Sequence, residues 1–337
     1  MNRLSRATVA SVASLACATA VVVAASASAV ASAKVLPRGG RVVATIAIPE
    51  GNGGFALGEG AVWAMSDGVS TLTRIDPQGN AVAASIKVET VKACPPYVCG
   101  EPAAGNGAVW VPRASDNTVS RIDLSSNSVT ATIPVGSQPT AIAVSPGAVW
   151  VANAGGPSVS RIDPATNQVV ATIQVGPAGA ASERAAVTAG GGAIWASVPN
   201  LNAVVRIDPG TNKVTATIRL FRQPCGFLAA DQSAVWAAGA HCTSVVMRID
   251  PRTNRQTGTV KGEIAPIGLA LGFGSLWVAD IDRKTIDRIN PRTGRIVARL
   301  PVGGIPIRLV VGFGSVWVRD DTGRVLRIRP LAVKPHA

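Results

Sequence analysis

All seven tryptophans of this 337-residue chain stand in one recurring frame. Trp63, Trp110, Trp150, Trp195, Trp236, Trp277 and Trp317 each follow a pair of small residues and one aliphatic, as in Gly147-Ala148-Val149-Trp150. Successive tryptophans lie 47, 40, 45, 41, 41 and 40 residues apart. A period of this size marks an array of supersecondary units, none of which buries its apolar face without its neighbours. Apolar residues make up 47% of the chain but aromatics only 4%, so the core must be built from Val, Ile, Ala and the tryptophans. That β-branched palette favours strands, and almost no helix is expected.

Residues 139–176 show one unit cleanly. Pro139–Val144, Ala148–Ala152, Ser158–Asp163 and Val169–Val175 are short apolar runs, separated by turns such as Ser145-Pro146-Gly147 and Pro164-Ala165-Thr166-Asn167. Four short strands joined by Gly, Pro and Asn turns make an antiparallel meander, the blade of a propeller. The last unit lacks a fourth strand, because the chain ends soon after Arg327-Ile328-Arg329-Pro330, whereas Arg41–Ile48 reproduces the fourth-strand pattern before any first strand has occurred. The expected fold is therefore an all-β, seven-bladed β-propeller over residues 41–330, with the N-terminal strand completing blade seven. Residues 34–40 would be a linker and 331–337 a tail.

Residues 1–33 read as an export signal: Arg3 and Arg6 at the start, an Ala/Val/Ser-rich apolar stretch, and Ala31-Ser32-Ala33 as a small-residue cleavage site. Cleavage is placed after Ala33, giving a secreted chain without a transmembrane segment, since no later run is apolar for long enough. Cys94, Cys99, Cys225 and Cys242 lie beyond the signal, an even number in an exported chain. Four thiols allow three pairings. Cys99 and Cys225 each stand eleven residues before a tryptophan with another cysteine nearby, so Cys94 with Cys99 and Cys225 with Cys242 are the expected disulfides.

Trp150-Val151-Ala152-Asn153, followed by Arg161-Ile162-Asp163-Pro164 and Val170-Ala171-Thr172-Ile173, resembles the YVTN-type repeat of secreted propellers, with Trp for Tyr and Ala for Thr. The frame is also similar to that of the virginiamycin B lyase group, and the resemblance covers residues 41–330. It implies a propeller and, for the lyase group, a histidine just after the proline that opens a first strand and a metal-binding glutamate three residues beyond the second-strand aromatic. The first position holds Gly53, Gly100, Thr140, Ala185, Gly226, Ile267 and Ile307; the second holds Ser66, Arg113, Asn153, Val198, Gly239, Asp280 and Asp320. No blade carries the histidine or the glutamate, and acid–base catalysis needs a titratable group within reach of the moving proton.

Other candidates come from residues that break the repeat. The second position is expected on a rim beside the loops entering each first strand, where Arg113, Asn153, Asp280 and Asp320 would meet a ligand. Asp280 and Asp320 occupy equivalent places in adjacent blades and offer oxygen ligands to a divalent cation, Mg or Ca, although no cofactor is expected outright. His241, the one histidine before the tail, lies beside Cys242; with Asp280 and Asp320 it completes the short set of catalytic candidates. The insertion Cys94-Pro95-Pro96-Tyr97-Val98-Cys99 would present Tyr97, the single tyrosine, on a stiffened loop. The third-strand arginines, one per blade from Arg74 to Arg327, are too regular for catalysis. Each usually has an aspartate two positions on, suited to an ion pair or to capping the following turn.

Net charge is +13, and residues 260–337 hold thirteen Lys and Arg against six Asp and Glu. An anionic envelope polymer is a reasonable partner on that ground. Nucleic acid is not, because the chain is exported and poor in stacking aromatics. The leading expectation is a secreted, non-catalytic, monomeric propeller that presents loops to an extracellular small molecule, peptide, glycan or protein. The alternatives are a metal-assisted lyase or hydrolase acting over the central channel, and a basic scaffold for anionic polymers.

Overall fold

A computed structural model describes residues 39–51, 53–66, 70–88, 100–182, 184–239, 245–260, 262 and 264–332. Within them the Val/Ile/Thr runs all become strands, and the only helical element is the 3-10 turn Pro199–Leu201. The strands form seven four-stranded antiparallel sheets, each a meander in chain order. Blade three runs Pro139–Ser145, Ala148–Asn153, Ser158–Asp163 and Gln168–Gln174. Blade seven runs Pro306–Gly312, Ser315–Asp320 and Arg324–Pro330, and its fourth strand is Gly40–Ala47 from the other end of the chain. Gly40 pairs with Pro330 and Ala47 with Arg324, so the ring is closed by backbone hydrogen bonds. The seven first strands contact one another in sequence, and Pro306–Gly312 returns to Phe55–Gly58. The N-terminal strand does complete blade seven, as the missing fourth strand foretold.

The repeated tryptophans explain how blades pack. All seven are fully buried. Six satisfy the indole N–H five residues back, five on a hairpin glycine carbonyl such as Gly58 at 3.0 Å and Trp150 on the Ser145 hydroxyl at 2.9 Å. In blade five that place is taken by Asp231, whose carboxylate caps its own hairpin, and the Trp236 N–H has no partner among the described residues.

Each tryptophan sits directly opposite the third-strand arginine, Trp150 across from Arg161 for example. The guanidinium lies over the indole at 5.0–6.0 Å in every blade. Such stacking contributes about 0.5–2 kcal/mol per pair. In five blades the same arginine then reaches the next, whereas Arg121 and Arg248 bond Thr130 and Thr257 of their own fourth strands. Arg74 donates to Leu124 O at 3.0 Å and to Asn127 Oδ1, Arg161 to Pro209 O and Asn212 Oδ1, Arg206 to Pro251 O and Asn254 Oδ1, and Arg327, across the closing seam, to Pro77 O at 2.6 Å and Asn80 Oδ1. The accepting asparagines hold a left-handed backbone, φ 54° at Asn80 and 57° at Asn212, a conformation Asn tolerates because its short amide bonds locally. They end the turns after which each ladder slips by one residue, as at Asn212 with the shift between Arg206 and Ile207.

The aspartates therefore serve the second of the two structural roles, the turn cap. Asp76 accepts from the Gln78 and Gly79 amides at 2.8 and 2.9 Å, and Asp208 from Gly210 and Thr211. These backbone donors hold Asp76, Asp208 and Asp250 below the ordinary aspartate value of 3.8, while at Asp123 the Ser125 hydroxyl leads. A carboxyl lowered in the folded state adds stability that is full above its unfolded pKa and is lost as pH falls through the folded one. The urea midpoint is accordingly expected to fall as pH drops below the ordinary aspartate value of about 3.9 towards about 2, and replacing the turn aspartates with asparagine should flatten that decline.

Candidate functional site at the channel mouth

A propeller's first strands line its central channel, and here that channel holds a cavity of about 390 Å³. Most residues around it are of apolar type, with Leu57, Val144, Leu228, Leu269, Leu309 and Val310 prominent, while polar atoms make up rather more than half of the exposed wall. The residue nine before each tryptophan decides its chemistry: Gly54, Glu101, Ala141, Ala186, Phe227, Gly268 and Arg308 in blade order. Four of the seven are Gly or Ala. The other three meet one another. Arg308, only 4% exposed, is ion-paired through Nε with Glu101 Oε1, and its Cζ lies 4.8 Å over the Phe227 ring. Blades two, five and seven thus converge on one point.

The local backbone explains how this is possible. Gly54 and Gly268 flank Arg308 in blades one and six and leave space for a long side chain to cross. At Gly54 no larger residue fits, because a Cβ would stand 2.3 Å from Pro102 Cδ and 2.8 Å from Glu101 Cα. Glu101 is fixed in turn: its N–H donates to Thr140 O at 2.9 Å, its carbonyl accepts from Ile142, and its Oε2 accepts from the Phe55 amide at 3.3 Å. Arg308 Nη1 donates to Ile307 O at 2.7 Å. A second guanidinium, Arg184, lies 5.5 Å over the same Phe227 ring. Glu101, Arg184, Phe227 and Arg308 were not singled out from sequence, although a comparison of the seven residues nine before tryptophan isolates three of them.

The positions that were singled out lie elsewhere. Ser66, Arg113, Asn153, Val198, Gly239, Asp280 and Asp320 end their second strands as buried residues. Arg113 is ion-paired with Asp116. Asn153 Nδ2 donates to Ser158 and Ser160 at 3.1 and 2.9 Å, beside a small cavity between blades three and four. Asp280 accepts from the Arg283 amide and pairs with its guanidinium at 3.3 Å; Asp320 accepts from Thr322 and Arg324 and pairs with Arg324 at 2.6 Å. Each carboxylate is engaged within its own loop, and among the described residues no hydrogen bond joins the two and no three His, Cys, Asp or Glu side chains gather as for a metal ion. Tyr97, Cys94, Cys99, His241 and Cys242 lie outside the described residues. Cys225 is described, half-buried on the first strand of blade five.

No family model and no curated protein sequence matches the chain. Among solved structures, virginiamycin B lyase from Staphylococcus aureus is similar at a TM-score of 0.67 and 13% identity, over 86% of this chain and 99% of that one. The fold is shared. Hydrazine synthase of Kuenenia stuttgartiensis is similar at 0.66 and 14% identity, over 85% of this chain and 97% of that one, and BamB from Moraxella catarrhalis at 0.59 and 17%, over 85% and 84%. At such identities the likeness carries the scaffold and not the chemistry. Among the described residues no helix is long and apolar enough to cross a membrane.

Proposed function

We propose that this chain is a secreted binding propeller that takes a small molecule, or the end of a larger one, into its channel without transforming it. The observation that carries this reading is the channel cavity of about 390 Å³ into which Glu101, Phe227 and Arg308 converge. Its size falls within the range of about 300–1,000 Å³ usual for ligand pockets, and its few charged groups are fixed in place. The charged pair is tied to itself and to backbone, which suits orientation of a ligand better than proton transfer. Export is supported by the signal-like residues 1–33.

A channel filled from within tests the reading. At Gly268 a Cβ would meet nothing closer than 3.5 Å, so Gly268→Ala is accommodated, and Gly268→Phe, placed where Arg308 crosses, is expected to fill the channel; its thermal melt, with Gly268→Ala as control, shows whether the blades stay packed. Mass spectrometry of compounds retained from spent culture medium should show masses bound by the native chain and lost in Gly268→Phe. Equal retention by both proteins, or none by either, would count against the channel.

A second reading rests on the outer edge. The fourth strands carry Lys213, Arg219, Arg255 and Arg295 exposed and no acidic residue, a pattern that also guards sheet edges against pairing. Salt-sensitive retention on a polyanion that survives Gly268→Phe would favour it.

A further inference from the structure

The hairpins that join the first two strands of blades six and seven carry phenylalanines at their tips, in Gly272-Phe273-Gly274 and Gly312-Phe313-Gly314. Both hold a left-handed backbone, φ 50° and 48°, where blades one, two and four have Glu59, Asn106 and Gly191. A bulky side chain is costly in that conformation, which suits Gly or Asn. Burial does not offset the cost, because the two residues are 44% and 39% exposed. Each tip is held from below: Phe273 O accepts from Arg288 Nη2 at 3.4 Å and Phe313 O from Arg327 Nη2 at 3.2 Å. Arg288 Nη1 also donates to Leu331 O at 2.6 Å, which brings a third apolar residue, 45% exposed, to the same part of the surface.

In an antiparallel meander the turns from strand one to two and from three to four lie at the same end of the sheet. The seven blades therefore present them on one face of the ring, opposite the strand ends Asp280 and Asp320. The charge of that face is divided. In blades one to three its turns, residues 58–60, 76–81, 105–107, 123–128, 145–147 and 163–168, hold Glu59, Asp76, Asp123 and Asp163 and no Lys or Arg. In blades five to seven the same turns and adjoining strand ends hold Arg252, Arg255, Arg292, Arg295, Arg329 and Arg41, all exposed, against Asp231 and Asp250. The aspartate that ends the third strand elsewhere is Asn290 in blade six and Arg329 in blade seven, and Arg329 stands opposite Arg41. Among the described residues Arg252 lies 3.8 Å from Asp250, and no carboxylate pairs with the others.

We propose that this sector docks on an anionic phospholipid surface, with Phe273, Phe313 and Leu331 entering the boundary between headgroups and acyl chains and the arginines lying over the phosphates. Apolar tips beside an arc of exposed arginines suit a bilayer, whose charge is spread over a plane and whose interior takes up aromatic rings. A hydrated polyanion would meet the arginines equally well but gain nothing from the rings. This surface is separate from the channel, and the proposal does not depend on what the channel holds.

The full mature chain is expected to sediment with vesicles of phosphatidylcholine and phosphatidylglycerol in equal parts and not with phosphatidylcholine alone. Phe273→Asn with Phe313→Asn places at both left-handed positions a residue that suits them, so the thermal melt should hold or rise. Vesicle binding by that variant should weaken about 10-fold, the scale of withdrawing part of two aromatic side chains from an apolar phase. Arg292→Gln with Arg295→Gln should weaken it about 5-fold per residue, the scale for one basic side chain near an anionic surface. Equal sedimentation of the phenylalanine variant and the native chain would overturn the bilayer in favour of an anionic polymer. Failure of the native chain to sediment with the anionic vesicles would overturn the docking surface outright.

Discussion

A chain shortened to begin at Pro49 is expected to lose its cooperatively folded state and to associate. The deletion removes the strand Gly40–Ala47 and with it the partners of Arg324–Pro330. It also removes Ile46 and Ile48, which are 5% and 8% exposed. Loss of each buried isoleucine alone costs about 2–5 kcal/mol, so the two together approach the whole stability of a typical domain, about 5–15 kcal/mol. The freed edge of Arg324–Pro330 becomes a template for another copy. Light scattering on a sizing column should show oligomers or aggregate, and thermal melting should shift down or lose its single transition. A monomer with an unchanged melt would mean that the ring is held shut by other contacts.

The second large effect is expected at Arg319, which is fully buried on the second strand of blade seven. It reaches across the same seam into blade one, where its guanidinium donates to the carbonyls of Gly51 at 2.6 Å, Gly53 at 3.3 Å and Met65, and to the Ser66 hydroxyl at 3.2 Å. Arg319→Met keeps much of the volume but strands those acceptors in the interior. Breaking a buried charged network of this kind costs about 3–5 kcal/mol. Urea unfolding followed by tryptophan fluorescence measures it directly. A loss below about 1 kcal/mol, the scale of one ordinary hydrogen bond, would show that the carbonyls find water or new donors.

The ring was legible in the sequence because its determinants are local and recur. A buried tryptophan, an arginine opposite it and an Asp-led turn are set by spacing within one unit, and the missing fourth strand of blade seven could be matched by inspection to Arg41–Ile48. The channel chemistry was not legible for two reasons. Side chains along a strand alternate between opposite sides, so attention to Gly53, Gly100 and their equivalents, one residue before Gly54 and Glu101, addressed the wrong side. Glu101 and Arg308 are also 207 residues apart, joined across blade one, and no local pattern announces such a pair. Asp280 and Asp320 show the opposite error: their equivalent placement was correctly read, but the sequence does not reveal that Arg283 and Arg324, three and four residues on, engage them first.

The arginine that leans on its own blade's indole while gripping the following turn has a directional consequence. Every such grip points the same way round, and that of Arg327 on Pro77 treats the two chain ends as one more joint. Where synthesis begins is thus immaterial to the mechanics: joining residue 332 to residue 39 by a short tether and cutting instead at an exposed hairpin would leave each coupling intact, and the circle would carry load without a weakest link fixed by its termini.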